Sequence, residues 1–181
     1  MRVIAGIYRG KKLKEFSLSS TKPTLDRVKE SLFSSIQFDL IDACVLDLFA
    51  GTGALGIESV SRGAKSVDFV DSNTEAIKII KENLQGIKGD YTVTKSDYMS
   101  YLVDAKRQAK QYDIILLDPP YDSDFGVRAI EYILTNNLLS DNGIIIYEKL
   151  YNTPFELNIE GYTFTQKKYG TVGVVKISKS E

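Results

Sequence analysis

The sequence predicts an α/β fold: a mainly parallel, doubly wound seven-stranded sheet that ends in an antiparallel hairpin, with a small N-terminal unit before it. Three observations predict it. From Cys44 onward, short apolar runs alternate with segments of helical periodicity. A glycine-rich stretch, LDLFAGTGALGIE (46–58), joins the first run to the first helix of that series. The last two strand-like runs have no helix between them and must pair antiparallel.

VLDLF (45–49) is the first run, and the helix opened by the glycine loop extends to about Arg62. KSVDFVD (65–71) reads as the second strand. Asn73 then caps a helix whose apolar residues Ala76, Ile77, Ile80 and Leu84 repeat at helical spacing. YTVTK (91–95) is a strand, Tyr98 to Ala109 a helix, and YDIILL (112–117) a continuous apolar run of the kind buried in parallel sheets. Asp124 to Thr135 is helical and GIIIYE (143–148) is the fifth strand. YTFTQKKYG and TVGVVKIS meet at a Gly170-Thr171 turn and complete the set. This Rossmann-like sheet with an antiparallel end is the layout of the class I methyltransferase fold, and not the usual one for a nicotinamide-binding domain.

Ahead of Cys44, RVIAGIY and KKLKEF flank Arg9-Gly10 and predict a hairpin. Ser20, Thr21 or Thr24 starts a turn at Pro23, and Leu25, Val28, Leu32, Phe33 and Ile36 give a helix with one apolar face. The division expected is 1–40, a basic hairpin and helix extension, and 41–181, the catalytic domain.

With 181 residues, 43% hydrophobic and 26% charged, the chain suits one domain with one sizeable core. Its apolar runs are too short to span a bilayer and MRVIAGIYRG has no apolar signal region, so a cytoplasmic location is expected. Cys44 is the single cysteine and reads as a small core residue. There is no histidine. Triads that use histidine are therefore excluded, a zinc or non-haem iron centre is disfavoured, and no metal is expected. Chemistry must run on carboxylates, hydroxyls, backbone groups and a bound cofactor. The net charge is −1, but the first 30 residues hold eight bases against three acids, a local +5. A basic arm on an acidic body suggests a polyanionic partner; a solvated surface segment is the plainer alternative.

Gly51, Gly53 and Gly56 have the G-x-G-x-x-G spacing, after a strand and at the start of a helix. Small residues there bring backbone N–H groups close to a ligand. Gly56 lies inside the helix and reads as a close-packing position. Asp71, 20 residues after Gly51 at the end of the next strand, suits ribose hydroxyls. NAD and S-adenosylmethionine fit this set equally, since both contain adenosine. Asp97, also at a strand's carboxyl end, suits an adenine amine or a helix N-cap, and the two roles are compatible. Asp118-Pro119-Pro120-Tyr121 follows the buried run DIILL. The prolines end the ladder and fix the loop, which leaves the Asp118 carboxylate and the Pro119 carbonyl as rigid acceptors. Two acceptors aimed at one exocyclic NH₂ free its lone pair for attack on a methyl sulfonium. Tyr121 supplies a face on which a flipped base can stack.

These motifs resemble those of bacterial 16S rRNA guanine-N2-methyltransferases of the small-subunit type, a DPPY-containing class I family. The resemblance covers RVIAGIYRGKKL, KPTLDRVKESLFSSI, LDLFAGTGALGIE, the FVD at 69–71 and DIILLDPPY. It implies methyl transfer from S-adenosylmethionine, leaving S-adenosylhomocysteine, to the N2 amine of one guanine in 16S rRNA, with pre-bound ribosomal proteins of an assembling particle helping to form the substrate. It further implies that Asp47, Phe49, Ala50, Gly51, Thr52 and Gly53 surround the methionine half of the cofactor. Asp71 and Ser72 would hold the ribose, Asp97 and Tyr98 would border the adenine, and Asp118, Pro119, Pro120 and Tyr121 would hold the guanine. Arg2, Arg9, Lys11, Lys12, Lys22 and Arg27 would meet RNA phosphate. Lys22 stands where arginine is commoner in the family and Asp71 where glutamate is.

Alternatives remain on the sequence. An adenine-N6-methyltransferase acting on RNA or DNA presents the same amine geometry to the DPPY loop. Protein glutamine methylation is disfavoured by Asp118, a non-catalytic RNA-binding assembly factor by the intact DPPY, and an NAD oxidoreductase by the hairpin ending.

Overall fold

The computed structural model describes residues 1–16 and 23–180. The expected turn around Ser20 and Thr21, and Lys22, lie outside the described residues. The elements are α1 (Pro23–Ser35), β1 (Cys44–Asp47), α2 (Ala54–Ser61), β2 (Ser66–Asp71), α3 (Thr74–Asn83), β3 (Asp90–Lys95), α4 (Tyr98–Arg107), β4 (Tyr112–Leu117), α5 (Phe125–Thr135), β5 (Leu139–Leu150), β6 (Tyr162–Tyr169) and β7 (Val172–Lys179). The seven strands form one sheet in the order β3-β2-β1-β4-β5-β7-β6. β1 to β5 pair in parallel, and β7 runs antiparallel to both β5 and β6. The expected α/β class and its antiparallel ending are present.

Period-two alternation along the strands separates two apolar layers. On one face Val45, Ile114, Leu116, Ile144 and Ile146 pack with Leu32 and Phe33 of α1, Ile36 just after it, Ile57 of α2 and Ile80 of α3. On the other, Leu46, Ile115, Leu117, Ile145 and Tyr147 pack with Leu102 of α4 and Ile130 and Ile133 of α5. Val3 and Leu13 of the N-terminal segment belong to the first layer, so that segment shares the sheet's core.

The structure differs from the sequence reading in four places. The N-terminal hairpin is present but short: Arg2 bridges Lys12, and the N–H groups of Val3, Gly10 and Leu13 donate to the carbonyls of Lys11, Val3 and Met1. Between them the chain bonds outward: Ile4 and Ala5 donate their N–H groups to the Glu58 carboxylate, and Ile7 donates to the Ser61 carbonyl. α2 thus takes the partners that a second strand would have taken. α4 ends at Arg107 because Ala109 turns left-handed (φ 52°), and Ala109 and Lys110 donate back to Lys106 and Ala105. β1 stops at Asp47, though Leu48 and Ala50 still donate to Leu116 and Val70 of the flanking strands. β5 begins at Leu139, four residues early, because Leu139 pairs with Tyr112 before a register shift, and Ser140 to Asn142 read as a break.

Gly56 is the close-packing position that the sequence suggested. A Cβ added there would sit 2.2 Å from the Phe69 ring, which is itself fully buried. We expect Gly56→Ala to destabilise the fold by about 1–3 kcal/mol, as overpacking does in a rigid core. An unchanged urea-denaturation midpoint would contradict this.

Candidate active site

The site lies where strands end. β1, β4 and β5 are consecutive in the sheet, and the residues Val45, Leu116 and Ile146 face the same layer. Two residues further along each strand the same face carries Asp47, Asp118 and Glu148. The ladder pairs Leu117 with Tyr147, so the next residues, Asp118 and Glu148, are neighbours at the sheet's carboxyl edge. Asp118 and Glu148 line a cleft of about 730 Å³, with Asp47 packed behind its glycine wall. That volume is within the usual range for small-molecule sites.

Asp47 is 1% exposed, and its Oδ2 accepts the Gly56 N–H at 2.9 Å, securing the first turn of α2. Its Oδ1 is buried with no hydrogen-bond partner. Burial, and then the charges of Asp118 and Asp71, outweigh the Gly56 bond and push its pKa up to about 7. Asp118 is exposed to the cleft, and the protein packed around its carboxyl raises its pKa above the usual carboxylate range. Glu148, 8% exposed, is raised by burial and by the charges of Asp118 and Asp47. Among the described residues, no lysine or arginine pairs with any of these three carboxylates.

The glycine loop forms the next wall. Gly51 and Gly53 have φ of 54° and 80°, values that glycine tolerates and larger residues resist. The Gly51 N–H donates to Asp71 Oδ2 at 2.8 Å, and Asp71 Oδ1 accepts from Asn73 N–H at 2.8 Å. Asp71 therefore fastens the loop while facing the cleft beside Ser72. Asp97 Oδ2 caps α4 by accepting from Met99 and Ser100, and Oδ1 has no such bond. Phe49, Tyr98 and Phe125 form an aromatic tier, with centroids 5.3 and 5.0 Å apart along the row. Ala50, Thr52, Pro119 and Pro120 also line the cleft.

Tyr121 is 40% exposed at the mouth, with its phenol raised by burial and by the charges of Asp118 and Glu148. The Pro120 carbonyl is engaged by the Ser123 N–H (3.1 Å) and hydroxyl (2.6 Å). The Pro119 carbonyl has no partner among the described residues and remains an acceptor, as the loop's sequence suggests.

The structure thus gathers Phe49, Ala50, Gly51, Thr52, Asp71, Ser72, Asp97, Tyr98 and the Asp118–Tyr121 loop on one cleft, with Asp47 and Gly53 supporting the glycine wall. Arg2, Arg9, Lys12 and Arg27 are exposed on the N-terminal side, while Lys11 Nζ donates to the Gln85 carbonyl. Among the lining residues that escaped sequence reading are Phe125 and Glu148. The signal for Glu148 was an acid ending the apolar run GIIIY beside the strand that ends in Asp118.

The cleft suits a cationic nucleoside. It offers an unpartnered buried acceptor on Asp47, a close-approach glycine wall, rim carboxylates and flat aromatic faces. Strand order and site together define a class I methyltransferase fold. The family described as conserved hypothetical protein 95 matches residues 1–177, and the chain belongs to it. It is 34% identical over 177 residues to "Ribosomal RNA small subunit methyltransferase D" of Haemophilus influenzae, covering 97% of this chain and 90% of that one. The protein of the same name in Escherichia coli is 33% identical over 149 residues, covering 82% and 74%. Among solved structures, the Escherichia coli protein yhhF superposes with a TM-score of 0.86 at 27% identity, covering 99% and 98%.

Raised carboxyl pKa values make stability fall as pH rises. Asp47 binds a proton more tightly folded than unfolded, so its contribution is complete below about 4 and is lost as pH climbs to about 7. With no histidine in the chain, little else titrates between pH 5 and 7. We expect the melting temperature of the ligand-free protein to drop across that window. A flat or rising profile would show that these carboxyls are not raised.

Proposed function

We propose that the chain is an S-adenosylmethionine-dependent rRNA methyltransferase that modifies the exocyclic N2 amine of a guanine in 16S rRNA. The observation that carries this is the free acceptor pair, the Asp118 carboxylate and the Pro119 carbonyl, held by the Asp-Pro-Pro-Tyr loop beside a glycine-walled cleft. Membership of a family whose relatives carry small-subunit rRNA methyltransferase names supports the same substrate class.

S-adenosylmethionine, when bound, supplies the methyl group as a sulfonium and leaves as S-adenosylhomocysteine. Asp47 and the loop from Phe49 to Gly53 would hold its methionine half, Asp71 and Ser72 its ribose, and Asp97 and Tyr98 its adenine. Tyr121 would stack the extruded base. Asp118 and the Pro119 carbonyl accept the two amine hydrogens, which turns the nitrogen lone pair out of the ring and toward the methyl carbon. Once the nitrogen is methylated its proton is acidic and passes to Asp118 or to water. Catalysis then rests on alignment, which can lower a barrier by several kcal/mol. No metal enters this reading.

The N-terminal extension, residues 1–40, would contact RNA phosphate through Arg2, Arg9, Lys11, Lys12, Lys22 and Arg27, and residues 41–181 would form the catalytic domain. Because the rest of the chain is acidic, ribosomal proteins on an assembling particle would help present the RNA. The reaction would take place in the cytoplasm; among the described residues no helix is long and apolar enough to cross a membrane.

Labelled-methyl transfer to small-subunit RNA and particles, followed by mass mapping, tests the reading; label on adenine would displace it. Asp118→Ala should lower turnover by a factor of about 100 or more, as loss of a preorganised polar group does. Its melting temperature should still rise when S-adenosylmethionine is added. Normal turnover by that variant would remove Asp118 from the mechanism.

A further inference from the structure

Glu15, Asp26 and Glu148 line the cleft without a part in the mechanism above, and of these only Glu148 stands on the sheet beside the Asp-Pro-Pro-Tyr loop. Glu148 lies near the carboxyl end of β5, is 8% exposed, and its side chain has no hydrogen bond or ion pair among the described residues. A buried carboxylate without a partner is costly, and retaining it on a face otherwise formed by Ile144 and Ile146 calls for an external partner. Its neighbour across the ladder is Asp118, and strands in a sheet lie about 4.8 Å apart. Tyr121 stands beside both carboxylates.

Two acceptors carried by neighbouring strands can converge on two adjacent donors. On the Watson–Crick edge of guanine, the N2 amine stands next to N1–H. In adenine the N6 amine stands next to N1, which is an acceptor. In its ionised form, which a bound sulfonium favours, a second carboxylate therefore welcomes guanine and repels adenine, although either amine would satisfy Asp118. We propose that Glu148 reads the target base, accepting the N1–H of guanine while Asp118 and the Pro119 carbonyl hold its N2 amine, and so makes the site select guanine over adenine. This assignment rests on the rRNA methylation reading. The discrimination it adds comes mostly from the unpaired lone pairs that a wrong base would face.

The test separates the amine from N1–H. 2-Aminopurine keeps the amine of guanine at the same ring position but replaces N1–H with an acceptor. Small-subunit particles are reconstituted with RNA bearing guanine, 2-aminopurine or adenine at the mapped position, and labelled-methyl transfer is measured as kcat/KM. The wild-type protein should prefer guanine to 2-aminopurine by at least about 100-fold, as sites built around a specific hydrogen bond do. Glu148→Gln, whose amide can donate to an N1 acceptor, should shrink that ratio at least tenfold while keeping the rise in melting temperature given by S-adenosylmethionine. Glu148→Asp, which withdraws the carboxylate by one methylene, should keep the guanine preference with at least tenfold lower kcat/KM. A Glu148→Gln ratio equal to wild type, an equal loss on both bases, or an unchanged kcat/KM in Glu148→Asp would overturn the assignment while leaving the methylation reading in place. Failure of the wild-type protein on guanine RNA would overturn the methylation reading itself, and this assignment with it.

Discussion

Strand phase is the constraint on which this molecule depends. In β1, β4 and β5 the apolar residues Val45, Leu116 and Ile146 lock each strand to the same layer, so Asp47, Asp118 and Glu148 must emerge together at the carboxyl edge. A slip of one residue in any of the three would drive a carboxylate into the opposite apolar layer. With no cation paired to them among the described residues, the carboxylates repel one another and hold their protons tightly. A ligand carrying a sulfonium and an ammonium relieves that repulsion. The proposed product lacks the sulfonium and relieves less of it, so the same electrostatics that draw the substrate in favour release after transfer.

A second buried carboxylate connects this edge to the basic arm. Glu58, fully buried on α2, accepts the N–H groups of Ile4 and Ala5 and pairs with Arg62 at 2.8 Å and Lys29 at 3.5 Å. Lys29 Nζ in turn donates to the Arg2 carbonyl at 2.6 Å, and burial lowers its pKa despite the charge of Glu58. Losing one member of such a cluster strands the other buried charges, at a cost of about 3–5 kcal/mol. The helix that begins at the glycine loop thus also carries the anchor of the N-terminal segment. The N-terminal segment and the glycine loop, both joined to one short helix, have little freedom to move independently.

Much of this was legible from residue order alone. Apolar runs alternating with helical periodicity fixed the sheet, and the Gly51, Asp71, Asp97 and Asp118 positions followed from acids and glycines placed at strand ends. What stayed hidden depended on neighbours distant in sequence. The N-terminal residues read as a hairpin and do pair near its base, yet Ile4 and Ala5 bond instead to Glu58 of α2, more than fifty residues away. Ser140 to Asn142 read as a loop because a register shift uses the same residue types. Glu148 read as the end of an apolar strand, since only the β4–β5 register shows what stands beside it.

That last point bears on how such sites choose a base. As proposed, the Asp-Pro-Pro-Tyr loop would hold a planar NH₂ and nothing more, so by itself it would serve guanine, adenine or an amide equally. Selectivity has to come from a group that meets the atom next to the amine, and the sheet offers one such place, the end of the strand beside the loop. An apolar residue there would leave the loop indifferent to N1, and a donor would favour adenine. An acidic residue, desolvated and unpaired, favours a base with a second donor. Glutamate at the end of β5 would thus supply, through the sheet's own register, the hydrogen bond that selects the base.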